Sequence, residues 1–215
     1  MKSILIIGLG RFGKHMAMKL SELHHEVLAV DQNENRVNEV LPYVTSAQIG
    51  DSTNEQFIQS LGVRNFDVCM VAIGDDFQSS LETTALLKDN GAPLVVARAT
   101  RDVHAKFLLR NGADQVVYPE KESGIRAAVK YSSEHIFDYI ELTEGYSIYE
   151  TDVPPAWVGK TVVQLAVRQK HRVSILAVRK NGVLSPLPGP DHVFEADERV
   201  FMLGADQDVM KVLKL

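Results

Sequence analysis

Cysteine is nearly absent from this chain of 215 residues, which contains one, Cys69. No disulfide can form within the chain, and a zinc site would have to rest on histidines and carboxylates. Long hydrophobic runs are also lacking, since no stretch approaches the roughly 18 apolar residues that span a bilayer. The first apolar run, residues 4–7, is too short for the core of a signal peptide and leads straight into a glycine. We therefore expect a cytoplasmic, soluble protein without direct membrane insertion.

An excess of positive charge is lacking as well, because the formal net charge is −5 and the lysines and arginines are dispersed. Domains that bind nucleic-acid duplexes normally present a basic face, so we expect no nucleic-acid partner. Several catalytic signatures are missing too: a Gly-x-Ser-x-Gly turn, a cysteine–histidine pair, His-x-x-x-His spacing and a lysine-containing phosphate loop. These absences argue against hydrolytic and metal-dependent catalysis, and we expect that the chain is not an enzyme.

Short apolar runs alternate with helical patterns through the first 118 residues. Apolar strands that alternate with helices are typical of a parallel sheet covered on both faces, and six strands in this rhythm predict a complete Rossmann-type sheet. The predicted strands span residues 4–7, 27–30, 46–49, 68–73, 94–98 and 115–118, and the predicted helices span residues 11–23, 33–40, 54–61, 77–90 and 103–111.

The pattern changes after residue 122. Apolar residues at helical spacing predict one long helix over residues 123–140, and the chain beyond it is rich in β-type runs separated by proline and glycine turns. We therefore expect an α/β protein in three parts: a Rossmann-type N-lobe (1–122), a crossover helix (123–140) and a small α+β C-lobe (141–215). Within the C-lobe, strands are predicted at residues 146–153, 172–179 and 200–203, and helices at residues 161–169 and 206–213.

A Gly-x-Gly-x-x-Gly motif follows the first predicted strand and opens the first predicted helix. Gly8 permits a tight turn, Gly10 lets a pyrophosphate approach the backbone, and Gly13 lets the helix pack closely on the strand. Phosphates would lie at the helix N-terminus, where free amides favour negative charge. Asp31 ends the second strand, where an acid accepts hydrogen bonds from ribose hydroxyls and disfavours the 2′-phosphate of NADP. The alternative is that the glycines only form a tight turn and that Asp31 caps it.

Further candidates follow other strands, because ligands of open α/β sheets bind beyond the carboxyl ends of the strands. Asp51 is a candidate acceptor for the adenine amino group, and the alternative for Asp51 or Ser52 is to cap the helix that begins near residue 54. Arg98 is a candidate phosphate contact or a salt-bridge partner of Asp75 or Asp76. The remaining residues that we expect beside the ligand are Phe12, Gln32, Ala72, Ile73 and Gly74.

Arg11 lies inside the glycine motif, directly beside the expected pyrophosphate. A guanidinium presents a fork of N–H groups that matches phosphate oxygens. Arg11 is therefore a candidate contact for a terminal phosphate or for a neighbouring subunit. The alternative is a solvated residue at the start of a helix.

With these residues in place, the chain resembles the cytosolic RCK (regulator of potassium conductance) subunits of bacterial Ktr and Trk potassium uptake systems, and the Ktr-like branch in particular. The resemblance covers essentially the whole chain. It is carried by residues 8–13 (GLGRFG), 29–31 (AVD), 50–51 (GD), 71–74 (VAIG), 112–114 (GAD), 119–121 (PEK), 158–161 (VGKT), 175–178 (ILAV) and 190–191 (PD).

This resemblance implies a regulatory subunit rather than a reaction centre. Family members form homodimers that assemble into a ring, often an octamer, which docks on the cytoplasmic face of an integral-membrane potassium-translocating subunit. In the Ktr-like branch, ATP favours the conducting state and ADP the inactive state. The arginine that corresponds to Arg11 reads the terminal phosphate across a subunit interface, and the glutamate that corresponds to Glu120 helps to hold a divalent cation, Mg²⁺ or Ca²⁺. The alternative for Glu120 is an ordinary acid at a helix N-terminus.

The resemblance also concerns the crossover helix and the C-lobe. In the family the corresponding helix crosses to the partner subunit, and the alternative here is packing against its own lobe. Some members bind cyclic di-AMP between two C-lobes and are inhibited by it, although a plain hydrophobic dimer interface is an equally good interpretation. The residues of this chain that would line such a site are Arg168, His171, Val173, Ile175 and Pro188.

Two other functions use the same glycine motif. A nicotinamide-dependent oxidoreductase also has a Rossmann lobe and a ribose acid, but it needs a second domain for substrate and proton transfer, and the C-lobe leaves little room for one. An NAD(H)-sensing regulatory subunit of a Trk-type system would use Asp31 as well, because ATP and NAD share the adenosine ribose. Arg11 and Glu120 modestly disfavour that alternative, since NAD has no γ-phosphate for a guanidinium to bind.

Overall fold

The computed structural model describes residues 1–214, and the chain divides into two compact units after Glu120. The first unit alternates strands and helices, as the sequence predicts. Its strands are β1 (Ser3–Ile7), β2 (Glu26–Asp31), β3 (Ser46–Ile49), β4 (Val68–Val71), β5 (Val95–Arg98) and β6 (Gln115–Val117). Its helices are α1 (Arg11–Glu22), α2 (Glu34–Val40), α3 (Glu55–Ser60), α4 (Phe77–Asp89) and α5 (Asp102–Arg110), with short 3-10 turns at Leu41–Tyr43 and Val63–Asn65.

The six strands form one parallel sheet in the order β3-β2-β1-β4-β5-β6. The central strand β1 is apolar on both faces: Leu5 and Ile7 pack into one core layer, and Ile4 and Ile6 pack into the other. The strand order reverses between β1 and β4, so the loops that follow these two strands diverge and leave a crevice at their carboxyl ends. This arrangement confirms the predicted Rossmann-type lobe and defines where a ligand can enter.

The second unit, which begins at Lys121, is built around an antiparallel sheet in the order β10-β9-β11-β8-β7. One face of the sheet carries the core, in which Phe194, Val200 and Met202 are fully buried. Helix α6 (Pro119–Tyr131) leads into this unit. Its strands are β7 (Ile136–Thr143), β8 (Tyr146–Asp152), β9 (Ser174–Lys180), β10 (Val183–Pro186) and β11 (Arg199–Ala205), and its further helices are α7 (Val162–Leu165), α8 (Val167–His171) and α9 (Asp206–Leu213).

The prediction of one helix over residues 123–140 is wrong at both ends. Helix α6 begins earlier, at Pro119, because proline suits the first turn of a helix, where no N–H is needed. The segment 136–143 forms β7 instead and pairs antiparallel with β8. Ile136 and Ile140 are four residues apart, which fits a helix, yet Ile136 is buried and Ile140 is 47 % exposed. Hydrogen bonding to β8 therefore overrides the helical spacing.

Two smaller differences concern the same unit. The predicted helix over residues 161–169 is divided into α7 and α8, because Ala166 adopts a left-handed conformation with φ of 47°. The sequence pattern also fails to predict β10, which is exposed and has no clean apolar alternation. β10 pairs with β9 through a two-residue hairpin in which Asn181 and Gly182 both have positive φ, the geometry of a type I′ turn.

Candidate functional site

A cavity of about 680 Å³ opens at the carboxyl ends of the parallel strands, where the strand order reverses between β1 and β4. Loops that are distant in the sequence meet there, because the carboxyl ends of parallel strands lie at one edge of the sheet. The cavity is lined by these sequence-predicted residues: Gly8, Gly10, Arg11, Phe12, Asp31, Gln32, Asp51, Ser52, Ala72, Ile73, Gly74, Arg98 and Glu120.

The three glycines of the motif have different structural tasks. Gly8 has φ of +95°, a backbone conformation that residues with a Cβ rarely adopt. Gly13 is not among the residues that line the cavity, and a Cβ added to it would lie 1.9 Å from the carbonyl oxygen of Gly8. Nothing lies within 4 Å of a Cβ added to Gly10. Gly8 and Gly13 therefore form the turn, whereas Gly10 leaves its backbone open to a ligand.

The N-terminus of α1 is left uncovered by side chains. Gly10 is the N-cap residue and makes no side-chain cap, and the first turn of the helix has no acidic residue. The first amides of a helix have no partner within the helix, and the helix dipole places partial positive charge on them. This end of α1 therefore suits an anion such as a phosphate.

The carboxylate of Asp31 is nearly buried at the end of β2. Its Oδ2 accepts a hydrogen bond from the Leu9 N–H at 2.6 Å, and its Oδ1 accepts one from the Asn33 N–H at 2.8 Å. The Arg36 guanidinium lies 3.6 Å from Oδ2. Asp31 therefore caps the glycine turn, as the alternative interpretation predicts, and it also lines the cavity. Each carboxylate oxygen has two lone pairs, so a ribose hydroxyl can be accepted in addition.

The loop after β3 is held by its own polar side chains. The Ser52 hydroxyl is buried and lies 2.8 Å from the Thr83 hydroxyl on α4. Asp51 Oδ1 accepts hydrogen bonds from the Thr53 N–H at 2.9 Å and the Thr53 hydroxyl at 2.7 Å. Asn54, not Asp51 or Ser52, caps α3, so the capping alternative for those two residues is wrong. Asp51 remains exposed at the cavity wall, where it can accept from a ligand amine.

Arg98 lies deep in the cavity, with its side chain 15 % exposed. Its Nη2 donates to Glu120 Oε1, and its guanidinium carbon lies 5.6 Å from the centre of the Phe12 ring. Gly74 provides the space, since an added Cβ there would lie 2.5 Å from Nη1. The Nε atom is buried and has no hydrogen-bond partner within the described chain.

The salt-bridge partner of Arg98 is Glu120, so the predicted pairing with Asp75 or Asp76 is wrong. Asp76 is engaged as the N-cap of α4, where it accepts from the Ser79 N–H at 3.0 Å and from the Ser79 hydroxyl at 2.8 Å. These two bonds lower the pKa of Asp76. Glu120 reaches Arg98 because α6 begins at Pro119, after the edge strand β6 has brought the chain beside β5.

Burial alone would raise the pKa of Glu120, but the opposing influences are together larger. The hydrogen bond from its own backbone N–H and the ion pair with Arg98 lower the pKa below its ordinary value, and the charge of Arg11 acts in the same direction. The carboxylate is therefore ionised at neutral pH. Its position in the first turn of α6 also agrees with the helix-terminus interpretation, so both interpretations of Glu120 describe the same geometry.

The cavity is also lined by polar residues that the sequence did not indicate. His15 could have been found, because it lies four residues after Arg11 and positions i and i+4 share a helix face. Arg36 carries no comparable signal, since only the folding of α2 beside β2 brings it to the cavity. The polar lining residues that the sequence did not indicate are His15, Arg36 and Ser79.

A smaller cavity of about 370 Å³ lies in the second unit, beside α7, α8 and the start of β9. Arg168, Val173, Ile175 and Pro188 line it, as predicted. His171, the last residue of α8, is not among the residues that line it. The predicted site lies between two C-lobes, so the place of His171 in it stays a prediction.

Within residues 1–214 no group of three or more histidine, cysteine, aspartate or glutamate side chains is arranged to hold a metal ion. A cation at Glu120 would find one carboxylate there, and phosphate oxygens, water or a second copy of the chain would have to complete its shell. No helix in the described part of the chain is long and apolar enough to cross a membrane.

Two family models match the chain. Residues 4–119 match the TrkA-N domain and residues 147–215 match the TrkA-C domain. The chain is 37 % identical over 210 residues to the Ktr system potassium uptake protein A of Bacillus subtilis (strain 168). This similarity covers 98 % of this chain and 95 % of that protein. The chain is 36 % identical to the Ktr system potassium uptake protein C of the same organism, over 99 % of this chain and 96 % of that protein.

Solved structures show the same fold. The GsuK RCK domain is similar with a TM-score of 0.70 and 20 % identity, over 100 % of this chain and 47 % of that one. The GsuK channel bound to NAD is similar with a TM-score of 0.70 and 19 % identity, over 99 % of this chain and 39 % of that one. This chain thus spans less than half of each of those two chains. Given the two domain matches and the whole-length relatives, the chain belongs to the TrkA-N and TrkA-C family that includes the Ktr potassium uptake proteins.

Proposed function

We propose that this chain is the nucleotide-sensing regulatory subunit of a potassium uptake system, cytoplasmic and held at the cell membrane through its partner. ATP favours the conducting state and ADP the inactive state. The observation that carries the proposal is one cavity lined by an uncovered helix N-terminus, the acid Asp31 and two guanidinium groups, those of Arg11 and Arg98. Similarity to the Ktr proteins supports the transport role, and it argues against the oxidoreductase alternative.

Each part of an adenine nucleotide has a suitable partner in this lining. Asp31 would accept from the ribose, the backbone at Gly10 would receive the pyrophosphate, and Asp51 would accept from the adenine amino group. Arg11 and Arg98 would face the terminal phosphate. The volume of about 680 Å³ falls within the range of about 300–1,000 Å³ that is usual for small-molecule sites.

Discrimination between ATP and ADP requires a group that responds to the γ-phosphate. A ligand shifts a two-state protein only by its different affinity for the two states, and ATP and ADP differ by that phosphate. Hydrogen bonds to charged groups contribute about 1.5–3 kcal/mol each, which is about tenfold or more in affinity. Arg11 is the main candidate, because it is exposed at the start of α1 and free to reach either the bound nucleotide or a neighbouring subunit.

A divalent cation, Mg²⁺ or Ca²⁺, would take most of its ligands at this site from the nucleotide. Glu120 supplies one hard oxygen ligand, and phosphate oxygens are suitable further ligands for either ion. When bound, the cation would neutralise phosphate charge between facing sites. Removal of divalent cations should therefore weaken ATP binding more than it weakens binding of NAD.

The assembly that we propose is a homodimer that builds a higher ring, an octamer in the Ktr-like case, docked on an integral-membrane potassium-translocating subunit. Size-exclusion chromatography with light scattering measures this directly. A strict monomer at micromolar concentration, with and without nucleotide, would contradict the ring.

Calorimetric titration with ATP, ADP, NAD⁺ and NADH, with and without Mg²⁺, tests the nucleotide assignment. We expect ATP and ADP to bind more tightly than NADH, and Arg11→Ala to weaken ATP about tenfold while changing ADP little. Arg110→Ala, an exposed arginine of α5 outside the cavity, is the matched control and should change neither. Much tighter binding of NADH, together with an Arg11→Ala variant that behaves as wild type, would favour the NAD(H)-sensing alternative.

The smaller cavity is the place where a cyclic dinucleotide such as cyclic di-AMP would bind in this proposal. Arg168 offers a cation at its rim, and Val173 and Ile175 offer apolar surface for a base. Its volume of about 370 Å³ suits half of such a ligand, so a second copy would complete the site. Titration of wild type and Arg168→Ala with cyclic di-AMP tests this assignment, and absence of binding to wild type at micromolar ligand would reject it.

A further inference from the structure

The ion pair between Arg98 and Glu120 is incomplete on both sides. Arg98 is largely buried, yet its Nε atom has no hydrogen-bond partner in the described chain. A buried donor without a partner is destabilising by about 1–3 kcal/mol and calls for an explanation such as a missing ligand. The Glu120 side chain is 55 % exposed. The pair therefore faces the cavity with unused hydrogen-bonding capacity.

Two contacts besides the ion pair with Glu120 position the Arg98 guanidinium. One contact is the Phe12 ring, which attracts any cation placed over its face. Another is the backbone at Gly74, where the absence of a Cβ leaves room for Nη1. Neither contact depends on Glu120, so the guanidinium can change its anionic partner while it stays in this space.

Phosphate oxygens compete with the Glu120 carboxylate for the same donors. A guanidinium binds phosphate bidentately, and Arg98 lines the cavity that also contains the N-terminus of α1. Once Arg98 turned to a phosphate, Glu120 would be an unpaired carboxylate close to a second negative group. A divalent cation relieves that repulsion by binding both.

We propose that Arg98 and Glu120 form an exchangeable pair: Arg98 leaves Glu120 for the phosphate of a nucleoside di- or triphosphate, and Glu120 is thereby released to bind a divalent cation. This inference rests on the proposed function, because a nucleotide must supply the phosphate. Its consequence is cooperative binding of nucleotide and cation. By thermodynamic linkage, each ligand strengthens the binding of the other by the same factor.

A double-mutant cycle in EDTA tests the exchange without any metal. ATP affinity is measured by calorimetry for wild type, Arg98→Met, Glu120→Gln and the double variant. Glu120→Gln should tighten ATP binding in both backgrounds, because it removes a negative charge, but the gain should be about fivefold larger when Arg98 is present. An equal gain in the two backgrounds would overturn the proposal, since Arg98 would then not be transferred from Glu120 to the ligand.

Titration with Ca²⁺ alone tests whether Arg98 masks Glu120. Arg98→Met should bind Ca²⁺ about tenfold more tightly than wild type, and the added Glu120→Gln change should abolish the gain. Gly74→Ala retains the charge but displaces the guanidinium, so it should act in the same direction. Arg36→Met is the matched control, because it removes an equal charge from the same cavity beside Asp31 rather than Glu120. An equal gain in that control, or none in Arg98→Met, would overturn the masking of Glu120.

Binding of ATP and ADP to wild type distinguishes failure of the proposed function from failure of the exchange. If wild type binds neither ATP nor ADP, the proposed function fails and this inference fails with it. If wild type binds them but the cycle shows equal gains, the proposed function stands and the exchange alone is rejected.

Discussion

Each unit of the chain holds a glutamate against arginine, and the two clusters differ in how completely the glutamate is enclosed. In the second unit, Glu150 is nearly buried, accepts a hydrogen bond from Arg179 at 2.5 Å and lies 3.6 Å from Arg199. Each arginine is stacked on a ring: Arg179 lies 4.8 Å from the centre of Phe201, and Arg199 lies 3.5 Å from the centre of Phe137. One buried carboxylate thus compensates the charge of two arginines, and each arginine is also packed against an aromatic ring.

In the first unit, Glu120 is more than half exposed and pairs with Arg98, whose Nε atom lacks a partner in the described chain. The residue types are the same in both clusters, so residue type does not distinguish a structural clamp from a candidate binding site. The distinguishing feature is whether hydrogen-bonding capacity is left over and faces a cavity. The expected experimental effects follow from this difference.

The largest expected effect concerns the turn that frames the open cluster. Gly13→Ala should destabilise the protein by about 3 kcal/mol or more, because the new Cβ would lie 1.9 Å from the backbone oxygen of Gly8 and cannot be relieved by a rotamer change. Urea unfolding followed by circular dichroism measures this. Gly10→Ala is the matched control: we expect a change within about 0.5 kcal/mol, together with a loss of ATP affinity. Equal destabilisation by the two variants would contradict the different tasks of these glycines.

The next effect separates the closed from the open cluster. Glu150→Gln should cost about 2–3 kcal/mol of stability, because removing one partner of a buried ion pair leaves charge uncompensated, here relieved in part by the exposure of the arginines. Glu120→Gln should cost less, about 1 kcal/mol, because the Glu120 carboxylate is itself more than half exposed and only one buried guanidinium, that of Arg98, loses its partner. Fluorescence of Trp157, which is buried in the second unit, reports unfolding there. If both variants lost similar stability, the distinction between clamp and site would be wrong.

The smallest effect is a pH dependence that both units share. The hydrogen bond from Lys88, with one from the Val95 N–H, lowers the pKa of Asp114, and the hydrogen bond from Arg126 lowers the pKa of Asp138. A lowered folded-state pKa contributes stability that is complete above the ordinary value of 3.8 and is lost as the pH falls through the folded value. Asp114→Asn should therefore cost up to about 1 kcal/mol at pH 6, and the difference from wild type should shrink below pH 3.8.

Asp138→Asn should give the same profile for the second unit. Urea midpoints measured between pH 6 and pH 2 provide the comparison for both variants. A difference from wild type that stayed constant over this range would show that hydrogen bonding in the neutral form, rather than charge, carries these contacts.

The inner strands β1, β4 and β5 of the parallel sheet could be predicted from the sequence because they are apolar runs that are largely buried, and turns separate them from the helices. The glycine motif and Asp31 could be predicted as well, since a turn, a helix start and a strand end are local features. β7 could not, because residues 136–140 match a helical spacing as well as a strand. The choice depends on hydrogen bonds to β8, which only the folded chain offers.

The partner of Arg98 illustrates the same limit within the candidate site. Asp75 and Asp76 are the acids that follow the neighbouring strand, so the sequence favours them. Glu120 forms the ion pair instead, because β6 pairs with β5 and thereby places the start of α6 at the edge of the cavity. The position of Arg36 in the cavity could not be predicted for the same reason, because Arg36 reaches Asp31 only through the packing of α2 beside β2.

The sequence by itself determined that a Rossmann-type order of strands and helices is followed by a β-rich C-terminal part, and it determined the position of the glycine turn, because these depend on local propensity, periodicity and the steric freedom of glycine. The tertiary structure alone decided which charges meet: Arg98 with Glu120 in an open cavity, and Glu150 with two stacked arginines in a closed cluster. The physical reason is that an ion pair depends on the distance, burial and unused donors of groups far apart in the sequence. Those quantities exist only once the strands have been placed side by side.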